Sequence, residues 1–300
     1  MLCDLRITMT PRFMNSTLCF LLMATSLATL HAETAPTSMP VLNSDKWQYN
    51  LFNPTPRDLM RDMSTDRPDT TESPITVDSG RFQIETSFFE YAGNNDGGFE
   101  EEVFTYGAMN MKVGLLNNVD LQLVFDAYTE EKTTDAATGV TEKVDGFSDI
   151  QARLKVNLWG NDGGKTALAF FPFIKVPTGT ALSNDHVEGG IILPFSIELT
   201  DTVGLGLMAE ADFVHDGADG YDTEFVHTAV LGFGLTETIG MFTEYVGVAA
   251  TDSAFDYQAS SVIGFTYGFS DEVQYDTGIR VPLNEAADDM GFFAGLSVGF

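Results

Sequence analysis

From Gly80 to the last residue, apolar and polar residues alternate with a period of two. Between Val119 and Tyr128, for example, every odd position is apolar and most even positions are polar. This alternation is typical of a β-strand with one apolar face and one polar face. Because the pattern recurs in one segment after another, an all-β fold is predicted for this part of the chain.

The alternating segments predict twelve strands, each long enough to cross a bilayer at a tilt, which takes about 9 to 11 residues. The predicted strands span residues 80–91, 102–114, 119–128, 147–159, 165–176, 187–199, 203–214, 222–235, 238–249, 257–269, 272–283 and 290–300. Short turns such as 115–118 and 200–202 alternate with longer loops at 93–101, 129–146 and 177–186. This arrangement is typical of a transmembrane antiparallel β-barrel with up-and-down connections.

A secreted β-sandwich also alternates, but two features favour a membrane barrel. The apolar faces of the predicted strands carry no Asp, Glu, Lys or Arg, and His227 is their only histidine, as contact with hydrocarbon requires. The chain also ends on Phe300, which closes an alternating last strand. A terminal aromatic residue of this kind resembles the signal by which the barrel-assembly machinery recognises its substrates. Inside lipid every backbone polar group needs a partner, so the sheet has to close into a barrel.

Residues 1–32 have the features of a secretory signal peptide. Two arginines precede an apolar stretch from Leu18 to Leu30, which is too short for a membrane-spanning helix of about 20 residues. Both cysteines, Cys3 and Cys19, lie in this region, so the predicted mature chain has no thiol. We therefore expect export and a location in the outer membrane of a Gram-negative bacterium.

Residues 33–79 are polar, rich in Pro, Thr, Ser and Asp, and show no sustained period. This composition predicts an extended periplasmic segment with at most one short helix around residues 56–63. Residues 80–300 then form the predicted barrel.

Late in this segment, a charged cluster surrounds Pro68. The cluster consists of Asp66, Arg67, Asp69 and Glu72. If the segment folds into the barrel as a plug, Arg67 could pair with wall carboxylates such as Glu85 or Glu244. The alternative is a periplasmic cap that holds the first strand in place, and the sequence leaves both possibilities open.

The polar faces of the strands are expected to line the barrel interior, where fourteen carboxylates face seven Lys and Arg residues. The residues that we expect along a solute pathway are Glu85, Asp120, Asp126, Asp149, Arg153, Lys155, Glu188, Glu210, Asp212, Glu244, Asp276 and Arg280. Charged side chains in a narrow pore select between ions. The acidic excess predicts a passage for cations or neutral solutes, hydrophobic and aromatic compounds included. Alternatively, the charges pair across strands and fill the interior.

Two neighbouring motifs stand out before and within the first strand: TDRPDTTESP at residues 65–74 and GRFQIE at residues 80–85. Further motifs are GFSD at 146–149, KVPTG at 175–179, IILPF at 191–195, Glu244, and VQYD at 273–276. Together they resemble the outer-membrane transporters of the family known as MetA-pathway of phenol degradation, over residues 62–300. Ser148 stands where that family usually has glycine. The resemblance implies an outer-membrane channel or transporter, and it implies no particular substrate.

Other functions find less support in the sequence. A formal charge of −29 disfavours nucleic acid, because phosphate binding needs a basic surface. Gly295–Gly299 matches G-x-S-x-G, but that catalytic motif requires an Asp and a His after it, and one residue follows. The histidines outside the signal peptide are too scattered for metal binding, so no metal, no cofactor and no enzyme activity are predicted.

Two alternatives to a channel remain. One is an outer-membrane hydrolase that uses a serine and a histidine, for example Ser183 with His186. The other is a structural or adhesion barrel whose acidic loops bind divalent cations and, through them, lipopolysaccharide phosphate. For the channel, the expected partners are small solutes, outer-membrane lipid with lipopolysaccharide, and the barrel-assembly machinery.

Overall fold

The computed structural model describes residues 46–218 and 220–300, which form β-strands and their connections apart from two 3-10 turns at Lys46–Gln48 and Arg57–Leu59. The strands are β1 (Phe82–Asp96), β2 (Phe99–Leu116), β3 (Val119–Asp135), β4 (Thr141–Gly146), β5 (Ile150–Trp159), β6 (Thr166–Val176), β7 (Glu188–Thr200), β8 (Val203–His215), β9 (Tyr221–Gly234), β10 (Ile239–Ala250), β11 (Gln258–Ser270), β12 (Val273–Pro282) and β13 (Met290–Gly299). The predicted signal peptide, residues 1–32, lies outside the described residues.

The strands close into a twelve-stranded antiparallel barrel. Each strand pairs with its neighbours in sequence, and β1 pairs with β13 to complete the ring. β4 and β5 together occupy one of the twelve positions in the wall. β4 pairs with residues 129–134 of β3, and β5 pairs with residues 119–124 of the same strand. The predicted all-β barrel of twelve strands is confirmed.

Two of the three long loops predicted from the sequence are wrong, because strand pairing continues through most of their residues. Residues 93–101 continue the β1–β2 hairpin to a two-residue turn at Gly97 and Gly98, whose φ angles are 57° and 89°. A pair of positive-φ residues matches the twist of the flanking strands, so strand pairing continues to the tip. Residues 129–146 form the end of β3, a turn and β4, and the Asp135 carboxylate accepts two backbone N–H groups in that turn. The loop predicted at 177–186 is confirmed.

The distribution of polarity is the reverse of that in a soluble protein. Large apolar side chains such as Leu123, Ile191 and Phe265 are exposed on the outer face, whereas charged residues such as Glu85 and Lys155 are fully buried inside. An apolar exterior around a polar interior is what a bilayer requires of a β-barrel. Among the described residues, no helix is long and apolar enough to cross a membrane.

The last residue extends the seam between the first and last strands. The N–H of Phe300 donates to the carbonyl of Phe82 at 2.8 Å, and its side chain is half exposed. The role of Phe300 as an assembly signal stays a prediction.

Candidate functional site: the barrel interior

Residues 46–80 form a loop that enters the barrel from the end with the short turns. At that end, Arg61 donates to the carbonyl of Asn117 in the β2–β3 turn at 2.6 Å and pairs with Asp162 in the β5–β6 turn at 2.9 Å. The chain then extends into the interior, turns around at residues 67–72, and returns to Gly80, whose N–H donates to the carbonyl of Gly114. We call residues 67–72 the tip of this loop.

Asp66 lies at the centre of a buried charge cluster below the tip. Its carboxylate accepts a hydrogen bond from Lys155 at 2.8 Å and pairs with Lys112, which also pairs with Glu85. Glu85 in turn accepts the backbone N–H groups of Asp66 and Arg67 at 3.0 to 3.1 Å. Burial alone would raise the pKa of Asp66, but the two lysines outweigh it and hold the pKa well below its usual range.

The Arg67 guanidinium binds carboxylates other than the two predicted for it. It pairs with Asp276 of β12 at 2.8 Å and with Glu90 of β1 at 3.3 Å, and not with Glu85 or Glu244. Glu85 is already occupied by Lys112 and two backbone N–H groups, so the guanidinium extends to the next acidic side chain. Gly295 makes room for it, because a Cβ there would overlap the guanidinium.

The far side of the tip rests on Glu244 of β10. Its carboxylate accepts the N–H of Thr70 at 2.9 Å and the N–H and hydroxyl of Thr71 at 2.8 and 2.7 Å. The next residue, Glu72, pairs with Arg153 of β5 at 2.5 Å. The tip therefore crosses the lumen from one side of the barrel to the other.

The lumen has two chemically different sides. The charged wall comprises the interior side chains of β1, β2, β3, β5 and β12, namely Glu85, Lys112, Asp120, Gln122, Lys155 and Asp276, all of which are buried. The apolar wall comprises the buried apolar side chains on the interior of β6 to β11, namely Ala169, Phe171, Ile192, Met208, Val230, Phe242, Val246 and Val262. The polar side chains buried on the same strands are Glu188, Thr228, Glu244 and Ser260. Lys155 and Phe171 meet at the boundary, where the ammonium lies 4.6 Å from the ring centroid.

The apolar wall was not predicted from the sequence, because the charged residues alone were assigned to the interior faces. A signal was present in β6 and β7, where nearly every residue is apolar on both faces, as in LAFFPF and IILPF. Runs of this kind indicate a strand that meets apolar surroundings on two sides.

The remaining predicted pathway residues lie in different surroundings. Asp149 accepts the N–H of Thr178 at 2.9 Å and so holds the β6–β7 loop, while Glu188 pairs with Lys175. Arg280 reaches the Thr70 hydroxyl at 3.3 Å, and Asp120 accepts the N–H of Val77 at 3.0 Å. Within residues 46–218 and 220–300, no ion pair engages four carboxylates of the tip and wall, which are Asp69, Asp126, Glu210 and Asp212.

The serine and histidine considered for hydrolysis have separate partners. The Ser183 hydroxyl accepts the N–H of Asp185 at 3.2 Å, whereas His186 Nδ1 lies 2.6 Å from the carbonyl of Asn184 and its ring stacks on His215. This arrangement does not place the imidazole where it could take a proton from the serine. In the described part of the chain, no three His, Cys, Asp or Glu side chains are grouped to hold a metal ion.

The sequence was compared with protein families, curated proteins and solved structures. A family model described as "Putative MetA-pathway of phenol degradation" matches residues 65–300. The chain belongs to this family. No curated protein matches the sequence.

Among solved structures, an outer-membrane channel from Pseudomonas putida F1 is similar at 12% identity, with a TM-score of 0.56, over 79% of this chain and 100% of that one. The β domain of a Bordetella autotransporter is similar at 11% identity, with a TM-score of 0.46, over 72% of this chain and 98% of that one. The translocator domain of an autotransporter from Neisseria meningitidis is similar at 11% identity, with a TM-score of 0.42, over 73% of this chain and 87% of that one. The similarity to the Pseudomonas channel establishes a shared barrel fold.

In this family member, the motifs noted in the sequence meet in space. The first motif, residues 65–74, includes the tip of the loop and Asp66. GFSD and KVPTG join at the loop end of the barrel, where the Thr180 hydroxyl, just after KVPTG, donates to the carbonyl of Phe147 at 2.7 Å. Ser148 accepts the N–H of Asp126 at 2.6 Å, a hydrogen bond that the glycine usual at this position could not make.

Proposed function

We propose that the protein is an outer-membrane channel through which small cationic or neutral solutes diffuse passively, and that residues 46–80 act as its plug. The observation that carries the proposal is the closed barrel with an apolar exterior, whose lumen holds a loop crossing from wall to wall. Such a wall isolates an interior path from lipid, and the loop narrows that path. An N-terminal signal peptide and the barrel-assembly machinery would deliver the chain to the outer membrane.

Charge pairing supports the preference for cations. Most basic side chains of the lumen are in ion pairs: Lys112 and Lys155 pair with Asp66, Arg153 pairs with Glu72, and Lys175 pairs with Glu188. Arg280 is hydrogen-bonded to the Thr70 hydroxyl instead. The pathway carboxylates that lack an ion pair outnumber Arg280, and where they are ionised they attract cations and repel anions. Pairing across the lumen thus leaves the acidic bias in place.

The apolar wall supports passage of neutral solutes. Six strands offer the lumen side chains such as Phe171, Ile192 and Phe242, which cannot hydrogen-bond to a permeating molecule. Neutral solutes with an apolar or aromatic part lose little solvation beside such a surface, whereas ions lose a great deal.

Planar bilayers test the channel and its charge preference together. We expect single-channel conductance and a reversal potential, in a salt gradient, of the sign that marks cation selectivity. Anion selectivity would overturn the assigned preference. An absence of conductance from protein that migrates on gels as a folded, heat-modifiable barrel would favour the structural or adhesion role.

Shortening the loop tests the plug. Replacing the tip, residues 67–72, with a short Gly-Ser linker removes the crossing but keeps Asp66 and its two lysines. We expect a larger conductance than in the unmodified chain, because the lumen is then open from wall to wall. An unchanged conductance in the folded variant would leave residues 46–80 as a cap that holds the first strand.

A further inference from the structure

Beneath the tip lies a cavity of about 480 Å³ that opens at the short-turn end. We call this cavity the vestibule. Its roof is formed by Arg67, Pro68 and Asp69, and its side is formed by the short-turn ends of β7 to β12. The tip therefore separates the vestibule from the upper lumen.

Glycines form much of the vestibule wall. Gly204 of β8 lies directly opposite Gly232 of β9, and Gly234 of β9 lies directly opposite Gly240 of β10. Glycine weakens a strand interior, because it costs backbone entropy and offers no side chain to pack. A cluster of glycines in adjacent strands therefore needs an explanation.

Packing and backbone geometry do not require glycine at three of these positions. Gly204, Gly232 and Gly234 have no positive φ angle, and a Cβ built at any of them would meet no atom closer than 3.8 Å. Gly206 is different, since a Cβ there would contact the Thr71 side chain at 3.1 Å and Val230 at 2.7 Å. What glycine provides at 204, 232 and 234 is empty space in front of the wall.

We propose that solutes cross the short-turn half of the barrel through the vestibule, and that Gly204, Gly232 and Gly234 determine the size of solute that passes. The inference rests on the proposed channel function. The wall offers backbone with Val230 and Phe242, and the charged side chains that also line the cavity are Arg67, Asp69 and Glu198, so the route suits compact solutes. It also passes the end of the tip that Glu244 holds, so movement of the tip would widen it.

A single cysteine tests the route, since both natural cysteines precede residue 33. In a chain with the predicted signal peptide removed, Gly232→Cys is labelled with a bulky uncharged methanethiosulfonate, and labelling is measured by mass. Leu231→Cys, on the outer face of the same strand, is the matched control. We expect labelling at position 232 to lower single-channel conductance by about twofold or more, and labelling at position 231 to leave it unchanged.

Three results would overturn the route. They are failure of Gly232→Cys to react, reaction with no change in conductance, and equal loss of conductance from the Leu231→Cys control. In each of these cases the unmodified channel still conducts, so the proposed function stands. If the unmodified protein does not conduct, the proposed function and the route fall together.

A second variant tests size selection without chemical labelling. Gly204→Leu adds a side chain in front of the vestibule wall, where the structure leaves room for it. In liposome-swelling assays with uncharged sugars of increasing size, we expect the size limit to fall. An unchanged limit in a heat-modifiable, folded variant would contradict the assignment of these glycines.

Discussion

The charged wall and the apolar wall hold the plug in different ways. On the charged wall, Asp66 and Arg67 are fixed by directional ion pairs and hydrogen bonds with buried partners. On the apolar side, the plug is held chiefly by one carboxylate, Glu244, while the surrounding side chains pack on each other. The comparison indicates that Asp66 and Arg67 are fixed, and that Thr70 and Thr71, which Glu244 holds, are the part of the tip that can be released.

The two walls also differ in how they respond to substitution. A buried charge that loses its partner pays for desolvation without compensation. An apolar side chain that loses a methyl group forfeits only a few contacts.

Lys155→Met removes a fully buried ammonium from the charged wall and leaves Asp66 with Lys112 alone. We expect the free energy of unfolding to fall by about 3 to 5 kcal/mol, as for other broken buried ion pairs. Urea unfolding of the barrel in lipid vesicles measures the change. The double variant Lys155→Met with Asp66→Asn should recover part of the loss, and a loss that is equal in both variants would contradict the ion-pair explanation.

Glu244→Gln weakens the support of the tip. Thr70 and Thr71 then donate to a neutral acceptor, and hydrogen bonds to a charged group contribute about 1.5 to 3 kcal/mol. We expect a larger open fraction in single-channel recordings, with barrel stability little changed. Asp126→Asn is the control, because Asp126 has no contact with the tip among the hydrogen bonds described above. Equal opening in both variants would rule out a specific latch at Glu244.

A smaller effect is expected from pH, acting through Glu72. Burial and the nearby Asp66 carboxylate raise the pKa of Glu72 from 4.5 to about 7, although Arg153 opposes the shift. Glu72 therefore binds a proton more tightly in the bound plug than in the released loop. The free energy that holds the plug in the lumen is largest below pH 4.5 and falls as the pH rises toward 7. The charged groups that face Glu72 are Arg153, Lys155, Lys112, Asp66, Asp69 and Glu210.

Recordings across this range test the sign of the pH effect. The open fraction should rise with pH, and Glu72→Gln should flatten the dependence because the residue no longer titrates. A steeper dependence in Glu72→Gln, or closure as the pH rises, would assign the effect to another group.

Ile192→Val is expected to have the smallest effect. It removes one buried methylene group from the apolar wall beside Phe171 and Met208. We expect a loss of about 0.5 to 1.5 kcal/mol in the free energy of unfolding, with conductance unchanged. A loss as large as that of Lys155→Met would mean that the two walls do not differ as described.

The sequence predicted the fold well, because a period of two is a local signal that each strand carries for itself. Val119, Leu121 and Leu123 already indicate which face of β3 meets lipid. The errors were at the loop end, where the β1–β2 and β3–β4 hairpins continue beyond the predicted strands. The sequence pattern placed the polar residues Glu100 and Glu101 in a loop, but backbone pairing does not require apolar side chains once the strand has left the bilayer.

The interior was harder to predict, because its contacts join residues far apart in sequence. Alternation indicates that Asp276 faces inward, but it does not indicate that Arg67, 209 residues earlier, pairs with it. Nor does it indicate that Glu85 would accept backbone N–H groups and so be unavailable to a guanidinium. Such choices depend on the path of the plug through the lumen, which no local pattern records.

The position of Asp66 has a consequence for biogenesis. Its carboxylate and backbone contact β1, β2, β3 and β5 through Glu85, Lys112, Gln122 and Lys155, which are the first four positions of the wall in chain order. The base of the plug can therefore seat on this early sheet before the later strands arrive. The ring would then close around an occupied interior, with no need to thread a peptide into a finished cylinder.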